Sequence, residues 1–298
     1  MARANFGVMT TNLLSRARHW TFLRLLVEVA ALVIVVVVTL GLASLVIPPP
    51  SSPRRADLVM IRNLVEPALL LLTYGLTVRW LERRPVSELH LRHGGLPLLA
   101  GAAIGAVMMA TVYLILWGLG LASFGPGTGL AGIGHGLASA LGAAVFEELL
   151  LRAVLFRILD QAFGTTTAVA ASAVIFGLLH GLNPGATPMS LLAIALEAGV
   201  LLALAYALTR NLWLAVGVHF GWNFAEGSLF GAQVSGSAST HGLVHAGLTG
   251  PPLLTGGAFG PEASVVSIGV SLVVATVFGV LILRRGGWTQ RGFRLRLA

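Results

Sequence analysis

Eight stretches of this 298-residue chain are each apolar over roughly 20 residues, the length a helix needs to cross a bilayer. They fall at about 25–47, 58–81, 96–123, 133–158, 165–182, 189–208, 211–230 and 263–283. Nothing else in the sequence restricts the fold so strongly. In hydrocarbon each backbone N–H and C=O must be paired within its own segment, so such stretches become helices and pack as a bundle. The expectation is an all-α, polytopic membrane helical bundle of about eight transmembrane helices in one membrane domain. A mean hydropathy of +0.88 with only 10% charged residues excludes a soluble domain. Breaks are marked by Pro48-Pro49-Pro50, by Arg83-Arg84-Pro85 and by Asn183-Pro184-Gly185.

All 19 basic residues are arginine, and they gather at span ends rather than on one solvated face. That placement argues against nucleic acid as a partner and orients the bundle instead. The N-terminal arginines, Arg79, Arg83, Arg84, Arg92, Arg152, Arg157, Arg210 and those from Arg284 to Arg296 fall on one side. Arg54, Arg55 and Arg62 fall on the other. Sixteen against three puts both termini in the cytoplasm. The run Leu25–Ile47 exceeds the ~7–15-residue core of a secretory signal, so it reads as a retained helix. The absence of cysteine excludes disulfides, thiolate metal sites and a cysteine nucleophile.

The chain divides into a basic cytoplasmic N-terminus (1–24), two peripheral helices with a connecting segment (25–95), a membrane core (96–230), a Gly-rich outer loop (231–262), and a last helix with a basic tail (263–298). Segment 85–95 reads as an interfacial helix with Val86, Leu89 and Leu91 in lipid and Glu88 and Arg92 in water, or equally as a polar loop. The loop 231–262 reads as flexible, or as a lid.

Three spans carry groups that hydrocarbon disfavours by at least ~2.5–3.5 kcal/mol for a charge. Glu147, Glu148 and Arg152 lie in the fourth, His180 in the fifth, His219 and Asn223 in the seventh. Glu148 and Arg152 are four apart and share a helix face, whereas Glu147 points about 100° away. One carboxylate is thereby paired and the other is left for general-base work. His180 can hold a water, accept a proton or bind a metal. His219 and Asn223, also four apart, can both donate to a developing oxyanion. Each set separately is equally at home in an ion network or an interhelical clamp. Together they make a hydrolytic site, or a site for a divalent metal such as zinc held by Glu147, His180 and His219. Glu197 lies mid-span and, with Phe176 and Trp222, is a candidate for the substrate groove.

At these residues the chain resembles the CPBP intramembrane proteases, which include CAAX prenyl endopeptidases and bacterial bacteriocin-processing (Abi-type) proteins. Glu147-Glu148-x-x-x-Arg152, Phe176-x-x-x-His180 and His219-x-x-x-Asn223 stand complete and in the family's order. Tyr206 to Asn223 also looks like the bacterial branch. The resemblance covers roughly residues 80–230. It implies that Glu147 activates a water held with His180, that His219 and Asn223 stabilise the oxyanion, and that Glu148 and Arg152 support them. It leaves open whether the site works as a metalloprotease or by glutamate alone.

The function so implied is an intramembrane endopeptidase, multi-pass in the cell membrane, acting on a membrane-associated protein or peptide within the lipid bilayer. Its cavity is expected to open to the cytoplasmic side. A non-catalytic immunity or scaffold protein competes with this reading, as does an ion-coupled transporter, although no internal repeat is visible.

Overall fold

The computed structural model describes residues 2–49, 51–237 and 241–289, with side chains from Trp20 onward. Among these residues eight long helical rods stand where the eight apolar stretches predict them. They are α1 (Ala2–Val46), α2 (55–82), α3 (Gly95–Gly118), α4 (133–163), α5 (Thr165–Leu182), α6 (Pro188–Thr209), α7 (212–229) and α8 (Val265–Arg284). The segment Trp20–Val46 of α1, with α3, α5, α6 and α8, is long and apolar enough to cross a membrane unaided. The other three carry more polar residues, and two of those, α4 and α7, hold the Glu147-Glu148-x-x-x-Arg152 and His219-x-x-x-Asn223 motifs. The protein is thus an all-α, multi-pass membrane protein, with apolar side chains such as Leu26, Val37, Leu45 and Leu72 exposed where lipid would cover them.

The rods begin and end where the sequence provides caps. Thr187 and Ser190 form a reciprocal capping box at the start of α6, and the Asn211 side chain accepts from the Trp213 N–H at the start of α7. Gly164, at φ 87°, turns the chain directly from α4 into α5. Helices α3 and α7 approach most closely. A Cβ on Gly105 would lie 2.1 Å from the Val218 carbonyl oxygen, and one on Gly221 would lie 2.0 Å from that of Ala102. Gly101-x-x-x-Gly105 and Gly217-x-x-x-Gly221 therefore face each other as small-residue seams, which let helix backbones touch in a membrane. This contact sets the height and rotation of the helix that carries His219.

Three expectations change. Segment 85–95 forms two short 3-10 turns, Ser87–Leu89 and Leu91–His93. Glu88 there is buried rather than wetted, because Arg84 and Tyr74 reach it. The loop 231–262 is not a free loop. Val244–Leu248 (β2) pairs antiparallel with Ala122–Pro126 (β1), which follows α3, and a helical turn Pro252–Thr255 and a 3-10 turn Pro261–Ala263 complete it. The stretch predicted to continue α3 to residue 123 instead leaves the helix after Gly118 and enters this ribbon.

The rods sort their ends consistently. One end gathers residues 82–95, 157–165, 209–212 and 284–289, which hold seven arginines. The other gathers the ribbon, the turn after α5 and the start of α4. At the arginine-rich end Arg24, Arg84 and Arg157 interlock with Glu28, Glu82 and Glu88. Arg157 lies 2.8 Å from both Glu28 and Glu82, Arg24 lies 2.8 Å from Glu82, and Arg84 lies 2.6 Å from Glu88. Nearby, Arg210 meets Asp160 at 2.6 Å. Trp213 is buried, with its indole N–H donating to the Leu89 carbonyl.

Candidate active site

The sequence motifs meet in space. Glu147 Oε2 lies 3.9 Å from His180 Nε2 and 4.0 Å from His219 Nε2. It is buried and has no hydrogen-bond partner. Each histidine is held by its other nitrogen. His180 Nδ1 is 2.8 Å from the Phe176 carbonyl, four residues earlier. A carbonyl can only accept, so Nδ1 carries the proton and Nε2 presents a lone pair to Glu147. His219 Nδ1 is 3.0 Å from Glu148 Oε1 and donates to it. With a carboxylate facing each ring nitrogen, His219 can hold a proton on both.

Behind these groups stands a fully buried support. Arg152 Nε faces Glu148 Oε2 at 3.1 Å, close enough for an ion pair but not aligned as a hydrogen bond. The guanidinium lies 4.7 Å above the Phe176 ring, a cation–π contact. Its Nη2 donates to the carbonyls of Ala198 and Gly199. Those carbonyls belong to a π-helical stretch, Ala195–Val200, inside α6. Arg152 itself lies in another, Leu149–Phe156, which begins directly after Glu148 in α4. A third, Ala225–Leu229, follows His219 and Asn223 in α7. Such departures from the α-helical ladder cluster at functional sites.

The helix limits also explain why the groups meet. The sequence reading ends the fourth span at residue 158, which leaves Glu147 too near the cytoplasmic end to face His180. In the structure α4 continues to residue 163. Glu147 then stands 16 residues, ~24 Å, from that end, level with His180 at 15 residues, ~22 Å.

Two cavities share this centre. The larger, ≈ 370 Å³, reaches Glu147, His180 and Asn223 along small residues of α4, including Gly136, Ser139 and Ala143. Its other walls, Asn183, Ser228 and Val234, belong to the ribbon end of the molecule. It therefore opens toward the ribbon end, away from the arginine-rich end that the charge bias assigns to the cytoplasm. The smaller cavity, ≈ 30 Å³, is lined by His180, His219 and Asn223, together with Phe176, Glu197 and Trp222. The expected groove residues thus lie against the site.

The three groups read as metal ligands do not form a ligand set. Among the described residues no cluster of three or more His, Asp or Glu side chains is arranged to hold a metal ion. Ligands each ~2.0–2.2 Å from zinc would stand closer to one another than Glu147 does to either histidine. A gap of about 4 Å between Oε2 and Nε2 is instead one that a single water can bridge.

Two carboxylates near the centre escaped the sequence reading. Glu226 is fully buried and only 2% of Glu262 is exposed, and neither belongs to the three motifs. The available signal was that Glu262 is the only charged residue between positions 231 and 262. His245 lies in β2, and His241 lines the larger cavity.

The helical membrane bundle thus brings Glu147, His180, His219 and Asn223 to one centre. Residues 129–225, which contain all three motifs, match the family described as Type II CAAX prenyl endopeptidase Rce1-like. The resemblance to CPBP and CAAX proteases is borne out over that segment, and the family is one of proteases. No curated protein and no solved structure matches the chain.

Proposed function

We propose that the protein is an intramembrane endopeptidase that cleaves a peptide bond of a membrane-associated protein or peptide, in the cell membrane, by glutamate-activated water. The supporting observation is the approach of two histidine Nε2 atoms to one unpartnered carboxylate oxygen. A water bridging Glu147 and His180 loses a proton to Glu147 as its oxygen attacks the scissile carbonyl. His219, protonated at both nitrogens between Glu148 and Glu147, donates from Nε2 to the carbonyl oxygen as it becomes an oxyanion, and Asn223 donates its side-chain N–H beside it. Glu147 then returns the proton to the departing amine. Glu148 and Arg152 act through His219, holding its ring and tautomer. The larger cavity supplies water and admits the substrate from the non-cytoplasmic side.

The test uses full-length protein in nanodiscs with a library of single-span peptides, cleavage products being read by mass spectrometry. The expected result is cleavage that falls ~10³-fold in Glu147→Ala, the scale of a lost general base, with thermal unfolding unchanged. Equal turnover by that variant would refute the mechanism.

A further inference from the structure

The smaller cavity carries more acid than the reaction needs. Glu197 from α6 and Glu262 from the 3-10 turn before α8 line it, each only 2% exposed. The Glu226 carboxyl, fully buried, adjoins that of Glu262. Glu197 Oε2, Glu262 Oε1 and both Glu226 side-chain oxygens have no hydrogen-bond partner. Among the described residues no arginine lines the cavity, and the lining groups able to carry positive charge are His180 and His219. A separate observation comes from α8. Ser271, 1% exposed, lines the same cavity with its Oγ unpartnered. Buried carboxylates and hydroxyls without partners are costly, and a cationic donor in the cavity would satisfy those of Glu197, Glu262 and Ser271 together.

We infer that this cavity binds the ammonium head of a lysine side chain of the peptide substrate, next to the scissile bond. The inference rests on the protease reading for the identity of the ligand's carrier, but the pocket stands on its own geometry. A volume of ≈ 30 Å³ holds about two water-sized groups. That suits a compact ammonium and not a planar guanidinium with its five donors. Three N–H donors match Glu197, Glu262 and Ser271. Phe176, Leu201 and Val218 form apolar walls for the methylene stem. A metal ion fits less well, since no described cluster is arranged to ligate one. Because His180, His219 and Asn223 border the same space, a lysine seated there would place its own backbone beside the reacting water.

The binding test needs no proteolysis. n-Butylammonium is titrated calorimetrically into full-length Glu147→Ala protein in nanodiscs, with empty nanodiscs and neutral 1-butanol as controls. The expected result is saturable butylammonium binding that weakens at least tenfold in Glu262→Gln and in Glu197→Gln. Ser271→Ala, expected to weaken it about threefold, serves if a glutamate variant fails to fold. Equal binding of butanol, unchanged binding in the variants, or saturable Ca²⁺ binding lost in the same variants would each overturn the assignment. In turnover, the kcat/KM ratio for a lysine peptide over its norleucine analogue should fall at least tenfold in Glu262→Gln. Loss of all Glu147-dependent cleavage would defeat the protease reading while leaving the butylammonium result standing.

Discussion

The two ends of this bundle treat buried charge in opposite ways. At the arginine-rich end three arginines meet three glutamates, and each of the six faces an opposite charge within 2.8 Å. Around the active centre five glutamates, Glu147, Glu148, Glu197, Glu226 and Glu262, share one arginine and two histidines. Only Glu148 has the arginine as its partner. Matched charge joins helices, since a buried pair resists only the loss of one member. Unmatched charge contributes nothing to joining them and is retained where a proton, a water or a cationic ligand completes the set. Burial alone does not separate the two regions; the ratio of acid to base does.

The comparison can be broken at several points. Arg157→Ala should have the largest effect on folding. It strands Glu28 in the interior at a cost of ~3–5 kcal/mol, read as a loss of monodisperse protein and a large fall in Tm, whereas Glu147→Ala removes activity and leaves Tm in place. Glu148→Gln should lower kcat ~10²-fold with little change in KM, because His219 loses its anionic partner but the substrate surfaces remain. Acid should open the lattice before the centre. Burial alone would raise the Glu88 carboxyl, but hydrogen bonds from Arg84 and Tyr74 outweigh it and hold Glu88 below its ordinary 4.5. Its contribution is then complete above the unfolded value and is lost as pH falls below about 4.5 toward the folded one, seen as a declining Tm. Glu88→Gln should flatten that decline. The smallest effect concerns access. Since the chain has no cysteine, Ser139→Cys supplies a single thiol in the larger cavity. A membrane-impermeant maleimide should label it in intact cells, and labelling only after permeabilisation would reverse the orientation.

Much of this was legible in the sequence, and for identifiable reasons. Helix number follows from hydropathy, and the Glu147, His180, His219 and Asn223 constellation follows from ordered spacings on those helices. Arg152 and Glu148 pair as their i, i+4 spacing predicts. What was not legible depends on contacts far apart in the chain. Pairing of β1 with β2 joins residues more than a hundred positions apart, and neither strand has a pattern of its own beside the apolar spans. Glu88 was misplaced because its polar character suggested water, while Arg84 and Tyr74 satisfy it inside. The side on which the cavity opens could not be read from span limits, because five further residues of α4 decide the depth of Glu147. Glu262 was missed because a single carboxylate in a Gly-rich loop gives no periodic signal.

The π-helical stretches in α4, α6 and α7 have a consequence for how such a centre is gained or lost. One residue more or less in a helix rotates everything beyond it by ~100° and shifts it by 1.5 Å. A deletion of Val154 would leave α4 long enough to span and apolar enough to insert. It would nevertheless turn Glu147 and Glu148 to a new face relative to Arg157 and the lattice below. A bundle with this centre assembled and one of the same hydropathy without it therefore differ by a few single-residue indels rather than by any change of composition. Such a change is invisible to a hydropathy profile and visible only as a gap in the helix register.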